Sequence, residues 1–137
     1  MKKLMDSERE HMLDLAYKAM ENAYTPYSHF QVGACLKGAS GKYYLGCNIE
    51  NAGYSPTNCA ERTAVFKAVS EGERDFTAIA IVCSGKTPAA PCGVCRQVLR
   101  EFCKYDMPVV FANADRETVE STLGELLPHS FGPEDLA

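Results

Sequence analysis

Residues 91–95 read Pro-Cys-Gly-Val-Cys, and residues 58–64 read Asn-Cys-Ala-Glu-Arg-Thr-Ala. Both stretches put thiols where a helix would begin. A Cys-x-x-Cys pair by itself serves disulfide redox chemistry, half of a structural zinc site or part of a catalytic one. Cys92 and Cys95, at i and i+3, face the same side of a first turn, where the positive end of the helix dipole favours thiolate. That leaves all three uses open. The second stretch discriminates, because Cys59 offers a third thiolate at the start of another helix. Two helix starts aimed at one point can gather three thiolates about a single Zn²⁺. Three protein ligands leave a fourth tetrahedral position open, the mark of catalytic rather than structural zinc. A water there loses its proton far more readily than in bulk. Glu61, two residues past Cys59, is placed to take that proton without being a ligand. Three thiolates around one dication make a weak Lewis acid, and Arg62 can offset this by donating to thiolate sulfur.

Other readings of these residues have distinct requirements. A structural zinc module needs a fourth protein ligand. Cys83, at the end of an apolar run near the Cys92 loop, is the candidate that would close the site. A thiol–disulfide oxidoreductase built on Cys92 and Cys95 would leave Cys59 and Glu61 without a task. Cys35, Cys47, Cys103 and, unless it closes the site, Cys83 read as small buried apolar side chains. His11, His29 and His129 have no ligand spacing to one another and read as surface residues.

The elements that must hold these groups follow from periodicity and turn chemistry. Ser7-Glu8-Arg9-Glu10 has the form of a capping box. Behind it Met12, Ala16, Ala19, Met20 and Ala23 recur at helical spacing, predicting a helix to about Ala23 that stops before Thr25-Pro26. Residues 30–36 and 42–48 flank Lys-Gly-Ala-Ser-Gly and read as a hairpin. Residues 59–70 read as a helix ended by Glu71-Gly72, and 76–84 as a strand covered on both faces. A proline-rich loop leads to a helix over 92–104, with Cys95, Val98, Leu99 and Phe102 on one face. Residues 107–113 form a short strand and 116–121 an edge strand. Thr122 to Glu125 is a second capping box opening a short helix. The order α-β-β-α-β-α-β-(β)-α implies right-handed crossovers and one α/β domain over 1–137, a mixed sheet with helices on both faces.

Composition bounds the partners. The chain of 137 residues is 46% hydrophobic and 23% charged, with a formal net charge of −4. No basic run exceeds Lys2-Lys3, so the clustered cations that bind a polynucleotide are missing. No apolar run approaches the ~20 residues that span a bilayer. The first ten residues turn charged before a signal segment could form, which gives a cytoplasmic expectation. In that reducing compartment seven cysteines are not expected to be disulfides.

Cys59-Ala60-Glu61 with Pro91-Cys92-Gly93-Val94-Cys95 is similar to the signature of the zinc-dependent nucleobase deaminases. Residues 24–34, 46–55, 91–98 and 126–136 resemble the short, three-cysteine, homotetrameric cytidine deaminase family, in the family's order across nearly the whole chain. The resemblance implies a three-layer α-β-α fold with a central five-stranded mixed sheet and one Zn²⁺ per subunit on Cys59, Cys92 and Cys95. It implies Glu61 as proton shuttle in the hydrolytic deamination of cytidine and deoxycytidine to uridine and deoxyuridine, a step of pyrimidine salvage. Carried over residue by residue, Asn48 and Glu50 bind the sugar hydroxyls, Phe30 packs on the pyrimidine, and the Ala60 backbone contacts the base. Tyr54 and Phe131 approach a neighbouring subunit's site. A carboxylate that accepts from a 3′-hydroxyl would repel a 3′-phosphate, so Glu50 selects a free pyrimidine nucleoside over an internal nucleotide. Nucleotides, free cytosine and cytosine-containing antibiotics are the rival substrates within the class. Ala90 before Pro91 and Gly53 depart from the common pattern, and both stand where they bear on substrate range rather than on the reaction.

Overall fold

The computed structural model describes residues 3–137; the Met1-Lys2 start, with its part in the leader expectation, lies outside them. The elements are α1 (Asp6–Met20), β1 (Val32–Gly38), β2 (Tyr43–Cys47), α2 (Ala60–Ser70), β3 (Phe76–Cys83), α3 (Gly93–Phe102), β4 (Pro108–Ala112), β5 (Thr118–Thr122) and α4 (Leu123–Leu126), with a 3₁₀ turn at Pro133–Asp135. The strands form one five-stranded sheet in the order β2-β1-β3-β4-β5. Only β3 and β4 run parallel; the other three pairings are antiparallel.

Strand alternation sends successive side chains to opposite faces. Ile79 and Ile81 of β3 pack with α2 and α3 on one side, and Ala78, Ala80 and Val82 meet α1 on the other. A strand buried on both sides has no polar face, which is why residues 76–83 read as an unbroken apolar run. The small residues on the α1 side let that helix lie close. A Cβ at Gly33 would sit 2.1 Å from the Ala16 carbonyl oxygen, and one at Gly46 only 2.3 Å from that of Ala60. Glycine is therefore required twice, once where each helix crosses the sheet. The second contact seats the first turn of α2, which bears Glu61, directly on β2.

Two local expectations at α1 are corrected. The helix begins at Asp6 with Met5 as N-cap and no side-chain cap, so Ser7 is already inside it. Asp6 and Glu8 complement the helix dipole instead, while Glu10 is engaged by Arg9 and Arg116 rather than by a free amide. The helix ends at Met20, short of Ala23. The Tyr24 N–H is captured by the Asn48 carbonyl at 3.0 Å, and the Tyr24 carbonyl by the Glu50 N–H at 2.8 Å. Those bonds pull the chain into an extended bridge and leave residues 21–23 as a turn.

At the other end Thr122 caps α4, its hydroxyl accepting from the Glu125 N–H at 3.2 Å. The return half of the predicted box is replaced by the hydroxyl donating to the Glu125 carboxylate at 3.1 Å. Cys35, Cys83 and Cys103 are buried as expected, whereas Cys47 is half-buried and lines a cavity of about 280 Å³ with Lys67 and Thr63. No helix among the described residues is long and apolar enough to cross a membrane.

Candidate active site

Two of the three candidate metal ligands are helix N-caps. Cys59 caps α2 and Cys92 caps α3, each with extended backbone angles. An N-cap leaves orphan amides pointing out of the helix end, and Cys92 Sγ accepts the Cys95 N–H at 3.5 Å. The sulfurs of Cys59, Cys92 and Cys95 all lie within 4.8 Å of one another, with Cys59 and Cys92 3.8 Å apart. Cys83 is outside this group. Its thiol donates to the Thr87 carbonyl at 3.4 Å, so it does not serve as the fourth ligand that a closed structural site requires.

The chain approaching Cys92 is fixed by two side chains that motif reading passed over. Asn113, fully buried just past β4, donates to the Lys86 carbonyl at 2.6 Å, and the Ala114 N–H bonds the Gly85 carbonyl at 3.0 Å. Arg96 donates from Nε to the Pro91 carbonyl and from Nη1 to the Leu126 carbonyl, both at 2.7 Å. One guanidinium thus ties the residue before Cys92 to its own helix and to α4. An asparagine after a strand and an arginine after a cysteine give no sequence signal for such roles.

Charge in the group is set by mutual contact. Hydrogen bonding from Cys95, and then from Arg62 and Cys92, pulls the Cys59 thiol down to about 5 against the opposing effect of burial. Cys95, which supplies the proton of that contact, is pushed up. Arg62 and the Cys95 contact thus favour negative charge on the Cys59 sulfur. Arg62 Nη2 donates to Cys59 Sγ at 3.3 Å, the contact expected from sequence, while its Nε is buried without a partner. Glu61 is only 4% exposed. Burial, reinforced by the negative Cys59, pushes its carboxyl up to about 7. A carboxyl with such a value can both accept and return a proton near neutrality.

The sugar- and base-side candidates stand on a three-stranded patch that the sequence did not announce. Ile49 pairs with Tyr24 on one side and Asn58 on the other. Since Asn58 precedes Cys59, this patch carries Asn48 and Glu50 up to the thiol group. Asn48 Oδ1 accepts the Val32 N–H at 2.9 Å and its Nδ2 donates to the Phe30 carbonyl at 2.8 Å. One amide proton remains for a ligand. Glu50 lines a cavity of about 320 Å³ with Ser28, Asn51 and Tyr54. Tyr54 is 78% exposed and holds a left-handed backbone, with φ of 62°. The Phe30 ring is half exposed and lies over Gly85. Phe131 is 60% exposed and is not among the residues lining the Glu50 cavity. Its carbonyl accepts from Gln97 Nε2 at 3.0 Å. Ala60 is fully buried, its backbone resting on Gly46. His11, His29 and His129 are exposed.

The donor set fits zinc. Three soft thiols converge from two helix ends, the positive dipoles and Arg62 compensate their charge, and no fourth cysteine, histidine or carboxylate joins them among the described residues. Fold and thiol group define a class, the α/β/α domains that bind zinc where two helices start on one face of a mixed sheet. The chain belongs to the family described as "Cytidine and deoxycytidylate deaminase zinc-binding region", whose profile matches residues 6–112. It is 52% identical over 133 residues to a cytidine deaminase of Sporosarcina psychrophila, covering 97% of this chain and 96% of that one. A cytidine deaminase of Halalkalibacterium halodurans is 51% identical over 129 residues, covering 94% and 98%. The crystal structure of cytidine deaminase from Burkholderia pseudomallei superposes with a TM-score of 0.86 at 46% identity, covering 89% of this chain and 98% of the other.

Proposed function

We propose that this chain is a single catalytic domain that deaminates cytidine and deoxycytidine to uridine and deoxyuridine with release of ammonia, in pyrimidine salvage. The observation that carries the reading is the buried Glu61 beside three converging thiols that no fourth protein ligand among the described residues closes. Cys59, Cys92 and Cys95 hold one zinc per subunit. When bound, the metal supplies the Lewis acidity that makes water a nucleophile at neutral pH.

Glu61 takes a proton from the attacking water and delivers one to N3 of the pyrimidine, which makes C4 electrophilic. It then takes the remaining proton of the hydroxyl added at C4 and passes it to the amino group, so that the C4 carbonyl forms as the C4–N bond breaks and ammonia leaves. One carboxyl serves as base and acid, and its burial, which raises its hold on a proton, supports that double use. Arg62 keeps the Cys59 sulfur from accumulating charge. Phe30 covers the base, the Ala60 backbone reads it, and Asn48 and Glu50 bind sugar hydroxyls, which selects a nucleoside over free cytosine or an internal nucleotide.

Four copies assemble with shared sites, Tyr54 and Phe131 reaching a neighbour's substrate. Their exposure in the single chain supports this, and an isolated monomer is then inactive. Seven free cysteines support a cytoplasmic location. The test is the ultraviolet spectrum of cytidine incubated with the purified, zinc-loaded protein. Conversion to the uridine spectrum with stoichiometric ammonia is expected. An unchanged spectrum with zinc bound would overturn the assigned substrate, and comparable turnover of cytosine lacking its sugar would overturn the roles of Asn48 and Glu50.

A further inference from the structure

Glu50 is held in place before any ligand arrives. Its Oε1 accepts two backbone N–H groups, from Tyr27 at 3.0 Å and Ser28 at 3.1 Å. Its Oε2 accepts the Ser28 hydroxyl. A carboxylate offers about four acceptor positions, so three are filled by the chain and one on Oε2 is left for a ligand. The direction of the Ser28 hydroxyl is also determined. Ser28 Oγ accepts the Phe30 N–H at 3.0 Å, which leaves its single proton to point at Glu50. His29, between them, has φ of 58°. That left-handed backbone costs a non-glycine residue about 1 kcal/mol, and it turns the Phe30 N–H back onto the serine.

The same relay joins the two halves of the substrate site. Phe30 gives its N–H to Ser28 and its carbonyl to Asn48. The sugar-side pair and the base-side ring therefore share one hydrogen-bonded loop.

We infer that Ser28 is a positioning residue for sugar recognition: its hydroxyl fixes the Glu50 carboxylate so that a single acceptor position faces the 3′-hydroxyl of the nucleoside. The inference rests on the nucleoside-deaminase reading above and assigns a residue to specificity that does not itself touch the reacting atoms. Ser28→Ala frees Oε2 to rotate and to take water, and it also releases the Phe30 amide. The freed Phe30 amide acts on every substrate alike and weakly, so the loss that belongs to Glu50 is the larger part, which should appear only with substrates that carry the 3′-hydroxyl.

The experiment compares cytidine with 3′-deoxycytidine on the zinc-loaded full chain, for wild type, S28A and S28T. A hydrogen bond to a charged acceptor is worth a factor of about 10 to 100 in affinity, so wild type should favour cytidine by that margin. In S28A, kcat/KM for cytidine should fall about tenfold, mainly through KM, while 3′-deoxycytidine stays within about twofold of wild type. S28T, which keeps the hydroxyl, should restore most of the preference. Parallel losses on both substrates, or an unchanged preference in S28A, overturn the inference while the deaminase reading stands. Absence of cytidine turnover in wild type overturns the reading, and the inference with it.

Discussion

Gly46→Ala tests whether the active site is held by the contact of α2 with the sheet. An alanine Cβ at this position would lie 2.3 Å from the Ala60 oxygen, 2.6 Å from the Ala64 nitrogen and 3.1 Å from the Ala64 Cβ. Real contacts start near 3.0 Å, so the first turn of α2 must withdraw by about 0.7 Å. Two of the three neighbours are backbone, and no rotamer change relieves them. Overpacking of this kind costs ~1–3 kcal/mol, offset by the ~0.5–1 kcal/mol that alanine gains over glycine inside a regular element. The net is a loss of roughly 0–2.5 kcal/mol, and because the two closest contacts are backbone it falls in the upper half of that range, read as a drop of roughly 4–8 °C in melting temperature. The residues displaced are the carriers of the Ala60 backbone and Glu61, and a shift near 1 Å at a catalytic group costs ~10²-fold in rate. Melting followed by circular dichroism, with kcat/KM for cytidine on the same preparation, measures both. Gly93→Ala supplies the control. Nothing lies within 4 Å of the Cβ it would add in the first turn of α3, so the same chemical change should be neutral or stabilise by up to ~1 kcal/mol. If G46A melts with wild type, or both variants shift alike, close approach at Gly46 does not hold the site.

Replacing Glu61 with glutamine should leave one zinc per chain by elemental analysis yet lower kcat by ~10²–10⁴-fold; retained turnover would remove Glu61 from its role. In the metal-free chain Glu61 titrates near 7 folded against an ordinary 4.5, so the folded state binds the extra proton between those values. Its contribution to stability is fully present below pH 4.5 and is lost as pH rises through 7. Metal-free E61Q should therefore gain on wild type by about 3 kcal/mol across that window in urea titrations, and a pH-independent difference would refute the burial argument. Cys59→Ala should abolish stoichiometric zinc while Cys83→Ala keeps it, because Cys83 Sγ is spent on the Thr87 carbonyl; zinc loss in both would restore a four-thiolate site.

What the sequence disclosed, it disclosed through groups whose chemistry is scarce. Three cysteines at two helix starts, with a glutamate two residues on, have few joint explanations, and element order followed from periodicity that burial enforces on both sides of β3. Side chains that act on backbone left no comparable trace. Asn113, Arg96 and Ser28 belong to ordinary residue types in ordinary positions, and their partners lie 27, 5 and 22 residues away. Only the fold brings them together. The early end of α1 was hidden for the same reason, since Tyr24 stops the helix by pairing with residues 48 and 50 rather than through any local breaker.

These hidden residues share a function that the motif residues cannot perform for themselves. A thiolate or carboxylate is useful here only if its direction is fixed. Cys59 and Cys92 sit at helix ends, where fraying is greatest, and Glu50 lies outside the five-stranded sheet. Each is therefore pinned by a neighbour bonding to backbone: Gly46 lets α2 down onto β2, Arg96 and Asn113 tie the loop to Cys92, and Ser28 locks Glu50. Motif and scaffold differ in tolerance accordingly. Removing a thiol from the group removes the metal, whereas loosening one of these ties should leave zinc in place and degrade rate or sugar selectivity. The measurements on G46A and S28A separate the two kinds of loss.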